Sequence, residues 1–376
     1  MTEASEPDTR DGAAGWWRRV GGGRECLQIA LPLVVSTLSW TVLTFIDRMF
    51  LMWVSGAAMA AAFSAGALWF SVLCVPLGIC AFANTFVAQY HGDGQPRKIG
   101  AVVWQAVWIA LAAAPAMGIA AALAPAAFAL ADHDPHVSAL EIEYFQILCW
   151  GAPGMWICAA LSAFYSGRGL TIVNMWIDAG CSALNALLDY VMIFGYAGFP
   201  AMGIAGAAWA TNISLWVKAA IFAALVLRRV NRQRFGTDAG LRLQVDLCRR
   251  LLRFGFPSGA QMLLDVLGFT VFVMLVGKLG AVEFEATSLA FSISTLAFMP
   301  VWGIGMAASI LVGQRLGENR EELAERSSYT SLQIALIYMG GVSLLYLAVP
   351  QLFLDGFFLY SDSDGVQRDQ VYQMAV

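Results

Sequence analysis

Apolar runs of roughly 20 residues recur along the whole chain, and each is long enough to carry a helix across a bilayer. In lipid every backbone N–H and C=O must be satisfied within the protein, so such runs fold as helices and pack together. Hydrophobic residues make up 59% of the 376 and charged residues 13%. That is too little charge to cover the surface of soluble domains. The reading is an all-α polytopic membrane protein with the lipid bilayer as its surroundings.

One of these apolar units is written twice. Residues 27–92, moved along by 225 positions without a gap, lie on residues 252–317. Pro32 then falls on Pro257, Gly78-Ile79 on Gly303-Ile304, and Gln89-Tyr90-His91-Gly92 on Gln314-Arg315-Leu316-Gly317. Identity is low, but the punctuation keeps its spacing. Internal duplication of a long apolar unit is what many transporters show, with the working site between the halves.

Nine helices are predicted, at about 26–53, 60–90, 99–131, 143–166, 170–196 and 203–227, then the repeat of the first two, then 329–349. Arginine and lysine set the orientation. Arg10, Arg18, Arg19, Arg24, Arg97, Lys98, Arg168, the eight arginines from Arg228 to Arg253, Arg315, Arg320 and Arg326 share one side, against Lys278 and Arg368 on the other. This places the N-terminus in the cytoplasm and makes the repeat parallel. The expected organisation is a disordered cytoplasmic tail (1–25), a complete six-helix N-lobe (26–227), a basic cytoplasmic linker (228–250) and a partial C-lobe (251–376). That last part holds helices 7–9 and the start of a tenth near Val371, so the chain reads as cut short. The seven cysteines lie in apolar segments or beside them on the inner side, without metal-type pairing, which argues against disulfides and a zinc site. Neither a metal site nor a cofactor is expected.

A charged group in a bilayer needs a cavity or a partner. Asp47, Asp178, Asp189 and Asp265 all fall inside helices. Helix 1 carries Ser36, Trp40, Thr44 and Asp47 on one face, and helix 5 carries Asn174, Asp178, Ser182, Asn185 and Asp189. Asp47 and Asp189 each lie six residues inside the outer boundary, roughly 9 Å. Thr211 of helix 6 lies near that level and Asn185 one turn deeper. Two carboxylates, an amide and a hydroxyl at one level suit a proton or small cation. The two acids are expected to titrate as a coupled pair. Lys218 and Asp178 sit at one depth on consecutive helices, each on a polar face, and are expected to form an intramembrane ion pair. Asp265 on helix 7 is a candidate second protonation site. Pro32, Pro115 and Pro153 are expected to kink their helices, Arg48 to snorkel outward, and Trp40 is a candidate cavity wall.

Four motifs group these residues: Asp47-Arg48-Met49-Phe50 after Pro32, Val87-Ala88-Gln89-Tyr90-His91-Gly92-Asp93-Gly94, Asn185-Ala186-Leu187-Leu188-Asp189-Tyr190, and Gly203-Ile204-Ala205-Gly206 running on to Thr211. Together they resemble the multidrug and toxic compound extrusion (MATE) family over residues 27–323. The resemblance implies a two-lobe MATE-type helical bundle. It also implies a secondary active transporter of the cell (inner) membrane, in which proton or sodium influx drives export of organic cations or xenobiotics by alternating access. In one branch of the family the coupling site lies in the N-lobe, and Asp47, Asn185, Asp189 and Thr211 match it position by position. Another branch uses an acid eight residues after the helix 7 proline, where Asp265 stands. Small organic cations are the expected substrates, nucleic acid is not an expected partner, and the chain is expected to act as a monomer. Two alternatives stand beside this: a lipid-linked oligosaccharide flippase of the same superfamily, or an inactive truncated fragment. A flippase cavity should be basic to hold pyrophosphate, whereas the intramembrane charges here are four aspartates against Arg48 and Lys218. An intramembrane aspartyl protease would need Gly-x-Gly-Asp within a helix, and the chain has none, so no enzyme is expected.

Overall fold

A single residue, Ser55, separates the first two long helices, α2 (Gly23–Val54) and α3 (Gly56–Gly92). Its extended backbone ends the first helix. Its hydroxyl accepts from the Ala58 amide at 3.0 Å and so satisfies one free N–H group at the start of the second. The computed structural model describes residues 13–348 apart from 131–132, 197 and 278–280. Expectations for the first twelve residues, the last residue of the 99–131 helix, Lys278, Arg368 and the helical start at Val371 therefore lie outside the described residues. Ahead of α2 stands a short helix, α1 (Ala13–Arg18). Residues expected within a disordered tail thus include a helical turn, and Trp16 is tied down by an indole N–H donated to Gln333 at 2.7 Å.

The chain continues through α4 (Pro96–Ala129), α5 (Pro135–Cys149), α6 (Ala152–Ser166), α7 (Thr171–Phe194) and α8 (Ile204–Val226). The predicted helix at 143–166 corresponds to α5 and α6 together, and it starts eight residues earlier. Asp134 caps it by accepting from the His136 amide at 2.8 Å, with Pro135 in the first turn. The two halves are bent by 40° at Trp150-Gly151, next to Pro153, which has no N–H to continue the ladder. Pro32 and Pro115 lie inside continuous helices.

The basic segment after α8 is folded onto the bundle. It holds α9 (Arg229–Phe235) and a 3-10 turn (Ala239–Leu241). Trp104 and Trp108 of α4 donate to the Thr237 and Leu241 carbonyls at 2.7 and 2.9 Å. Between them the fully buried Gln105 donates to the Arg242 carbonyl and accepts from the Gln244 amide. Arg168, in the α6–α7 turn, lies over the Phe164 and Phe235 rings at 3.9 and 4.5 Å. Burial pushes its pKa down to about 10, so it stays cationic near neutrality. Then come α10 (Val245–Gly277), α11 (Ala281–Gly317) and α12 (Glu321–Ala348). Among the described residues seven helices are long and apolar enough to cross a membrane, and the bent α5–α6 pair, taken as one span, makes an eighth. α10, at 33 residues, has the length to do so as well.

The central element is α3, which touches α2, α4, α5, α6, α10 and α11. Around it Trp69, Leu73, Phe145, Trp156, Phe164 and Phe222 form one core. A second core joins Cys26, Ile29, Ala30 and Leu33 of α2 to Ile304, Ala307, Ile310 and Leu311 of α11.

The two copies of the repeat meet reciprocally. A Cβ on Gly92 would lie 1.9 Å from the Gln314 carbonyl oxygen, and a Cβ on Gly317 would lie 2.1 Å from that of Gln89. These are the same two positions of the repeat, exchanged. Higher up, Gly78 abuts the Gly259 backbone while its counterpart Gly303 abuts Val34, the counterpart of Gly259. Backbones this close admit no side chain, which is the reason the glycines keep their spacing. Beside them Arg315 pairs with Glu25 of α2 and, at 2.9 Å, with Glu318.

Candidate functional site

Polar spacing along three helices builds the site. α7 packs against both α2 and α8, so their polar stripes turn toward one another rather than toward lipid. The carboxyl groups of Asp47 on α2 and Asp189 on α7 lie against each other. Asp189 is fully buried and Asn185 is 1% exposed, while Asp47 is half-buried and lines a cavity of about 250 Å³. That cavity is also lined by Trp40, Thr44, Arg48, Tyr144 and Thr211. Both Asp189 oxygens, Asp47 Oδ1, the whole Asn185 amide and the Thr211 hydroxyl are buried without a hydrogen-bond partner in the protein. Two ionised carboxylates offer each other no donor. A shared proton, or a cation, would supply what the cluster lacks.

Of the sequence-predicted residues, the structure thus brings Asp47 and Asp189 together, with Thr211 on the wall of the same cavity. Asn185 and Thr211 both line a second, small cavity of about 30 Å³. Lys218 Nζ sits 2.6 Å from Asp178 Oδ1, so the ion pair expected from depth and face is formed. Asp265 is exposed on α10 and does not line these cavities. Arg48 is exposed at the cavity mouth, 5.1 Å from the centre of the Phe63 ring.

Two residues that the sequence reading passed over belong here. Tyr144 is buried on the cavity wall, within the field of Asp47, Asp189 and Arg48. One turn earlier Glu141 is 1% exposed, held by His133 Nδ1 at 2.9 Å and by the Ser64 hydroxyl. For Glu141 the signal was the Asp134-Pro135 start, which puts it inside the helix, whereas Tyr144 already lay within the predicted span. Among the described residues no cluster of three His, Cys, Asp or Glu side chains converges as a metal site, and all seven cysteines are free.

A polytopic helical bundle with a parallel repeat and two facing acids, one of them on a cavity wall, defines the class as a membrane transporter. The family model described as MatE matches residues 32–191 and 257–362, two stretches that begin at the two equivalent prolines. The chain belongs to the MatE family and is a secondary transporter rather than an enzyme. It is 29% identical to the multidrug resistance protein NorM of Photobacterium profundum, over 92% of this chain and 79% of that protein. It is 27% identical to the multidrug resistance protein MdtK of Yersinia pestis, over 88% and 75%. Among solved structures, a transporter of the MOP superfamily from Pyrococcus furiosus superposes with a TM-score of 0.82 at 20% identity, over 96% of this chain and 79% of that one. A eukaryotic MATE transporter gives 0.80 at 19%, over 94% and 77%. At these identities the structures speak for the fold.

Proposed function

We propose that this protein is a proton- or sodium-coupled antiporter that exports small organic cations by alternating access. In this reading Asp47, Asn185, Asp189 and Thr211 form its coupling-ion site. The observation that carries it is the pairing of Asp47 with Asp189 beside an unpartnered amide and hydroxyl. Acids brought together with no cation between them are costly as mere packing, and an arriving ion offsets that cost. The multidrug resistance relatives support export of xenobiotics. Residues 26–227 act as the N-lobe and residues 251–376 as the C-lobe, docked through the reciprocal glycine contacts. The protein sits in the inner membrane with its arginine-rich end in the cytoplasm, and works as a monomer. Asp265 is retained as a second protonation site in the C-lobe.

The test is ion-driven efflux of a cationic dye from proteoliposomes. Asp189→Asn is expected to reduce efflux to the level of empty vesicles while leaving membrane insertion and the gel-filtration profile intact. Undiminished efflux by that variant overturns the assignment. Driving the wild type with a sodium gradient at equal pH, and then with a pH gradient in sodium-free buffer, identifies the coupling ion.

A further inference from the structure

Below the outer cavity the polar stripes continue. Trp40 lines that cavity, the small one beneath it and a third of about 330 Å³. Asp178 and Lys218 line both the small cavity and the third. Thr211 links the outer cavity to the small one. The result is a column of polar groups running from Asp47, past Thr211, Asn185 and Ser214, to the ion pair, and on to Asn174 and Ser36. Met306 of α11, a residue of the second repeat, also lines the third cavity. Ser214, Asn174 and Ser36 each keep a buried oxygen without a protein partner, so the column is furnished with oxygens along its length.

Such a column is a route by which a proton or small monovalent cation could leave the paired acids without anything being exported. What stands in it is an ammonium. Lys218 and Asp178 are 23% and 20% exposed in their side chains, and that exposure faces the cavities they line. A cavity of about 30 Å³ holds roughly one water molecule, so an ion reaching it is largely stripped. There it meets a fixed positive charge seven residues, roughly 10 Å, from Thr211 on the same face of α8. Without Lys218, Asp178 would be a bare carboxylate offering that ion its next station.

We propose that Lys218 is a tethered cation that closes this route, holding at Asp178 the place a migrating ion would take and so preventing uncoupled leak. The proposal rests on Asp47 and Asp189 being the coupling site, but its test needs no substrate. In proteoliposomes of the full chain loaded with pyranine, with the membrane potential clamped, a pH or sodium step is applied and substrate-free proton flux is followed. Lys218→Met is expected to raise the leak about tenfold over wild type, as removal of a unit charge at this distance in a poorly screened site implies. A sugar-sized dye should stay trapped, showing that the bilayer is intact. Lys218→Arg, which keeps the cation, is expected to restore a closed route. Asp178→Asn leaves the ammonium in the column, and there the leak is expected to stay low. A folded Lys218→Met with no added leak overturns the proposal. If that variant does not fold, an Asp178→Asn protein that leaks as wild type supports the proposal. A raised leak in that protein overturns it, because loosened packing would then be the cause. Failure of the coupling site shows instead as undiminished efflux in Asp189→Asn, so the two readings fail separately.

Discussion

Asp178 and Lys218 illustrate how costly an intramembrane charge is and how it is kept. At 2.6 Å the pair satisfies itself, and each group alone would be a lone charge among helices. Removing one partner of a buried pair typically costs about 3–5 kcal/mol. Asp178→Asn and Lys218→Met are each expected to lower the thermal stability of the detergent-solubilised protein by that order. The exchange Asp178→Lys with Lys218→Asp should recover most of it. Melting curves that leave both single variants at the wild-type midpoint would make the pair energetically idle. Asp47 and Asp189 are the opposite case, two acids facing each other with no cation between them. The difference between the pairs is visible in partner chemistry, since one offers a donor and the other has none.

At the scale of elements, the crossing of α3 and α11 is set by absent side chains. Gly92 and Gly317 let each helix present its backbone to the carbonyl of the other, Gln314 to Gln89. A methyl group at either site must push the helices apart. Gly92→Ala and Gly317→Ala are each expected to destabilise the crossing by about 1–3 kcal/mol. Cysteines introduced at Asp93 and Glu318, at the ends of the two helices, should cross-link in the parent and much less in the alanine variants. Equal cross-linking would show that the crossing does not depend on the glycines. The bend between α5 and α6 was legible in Pro153, whereas the docking of the basic segment was not. Trp104, Gln105 and Trp108 read as ordinary membrane-helix residues until their partners, backbone groups more than 130 positions away, are in place.

For the whole molecule, the repeat becomes a pseudo-two-fold arrangement in which equivalent residues exchange partners. The arginine-rich ends of α3, α6, α8 and α11 lie together around the Arg168 and Arg315 contacts. If that end is cytoplasmic, a fluorescent protein inserted after Gly236 should fluoresce, and alkaline phosphatase at the same place should be inactive. The reverse pattern would invert the orientation and, with it, the direction of coupling.

Periodicity and composition by themselves determined that the chain is an all-helical membrane bundle, that it carries a parallel repeat, and which helix faces are polar. These follow from local rules, because lipid forces backbone hydrogen bonds inside each helix and polar stripes must face inward. Residue count along a helix even fixed the level of Lys218 against Asp178. The tertiary structure decided that the Asp47 and Asp189 carboxyl groups lie against each other, that Tyr144 is buried on the wall of the same cavity, and that Asp265 stays apart. Depth along a helix is a one-dimensional quantity. Which stripe turns toward which depends on helix rotation and neighbour order, and those are settled only when the whole bundle packs.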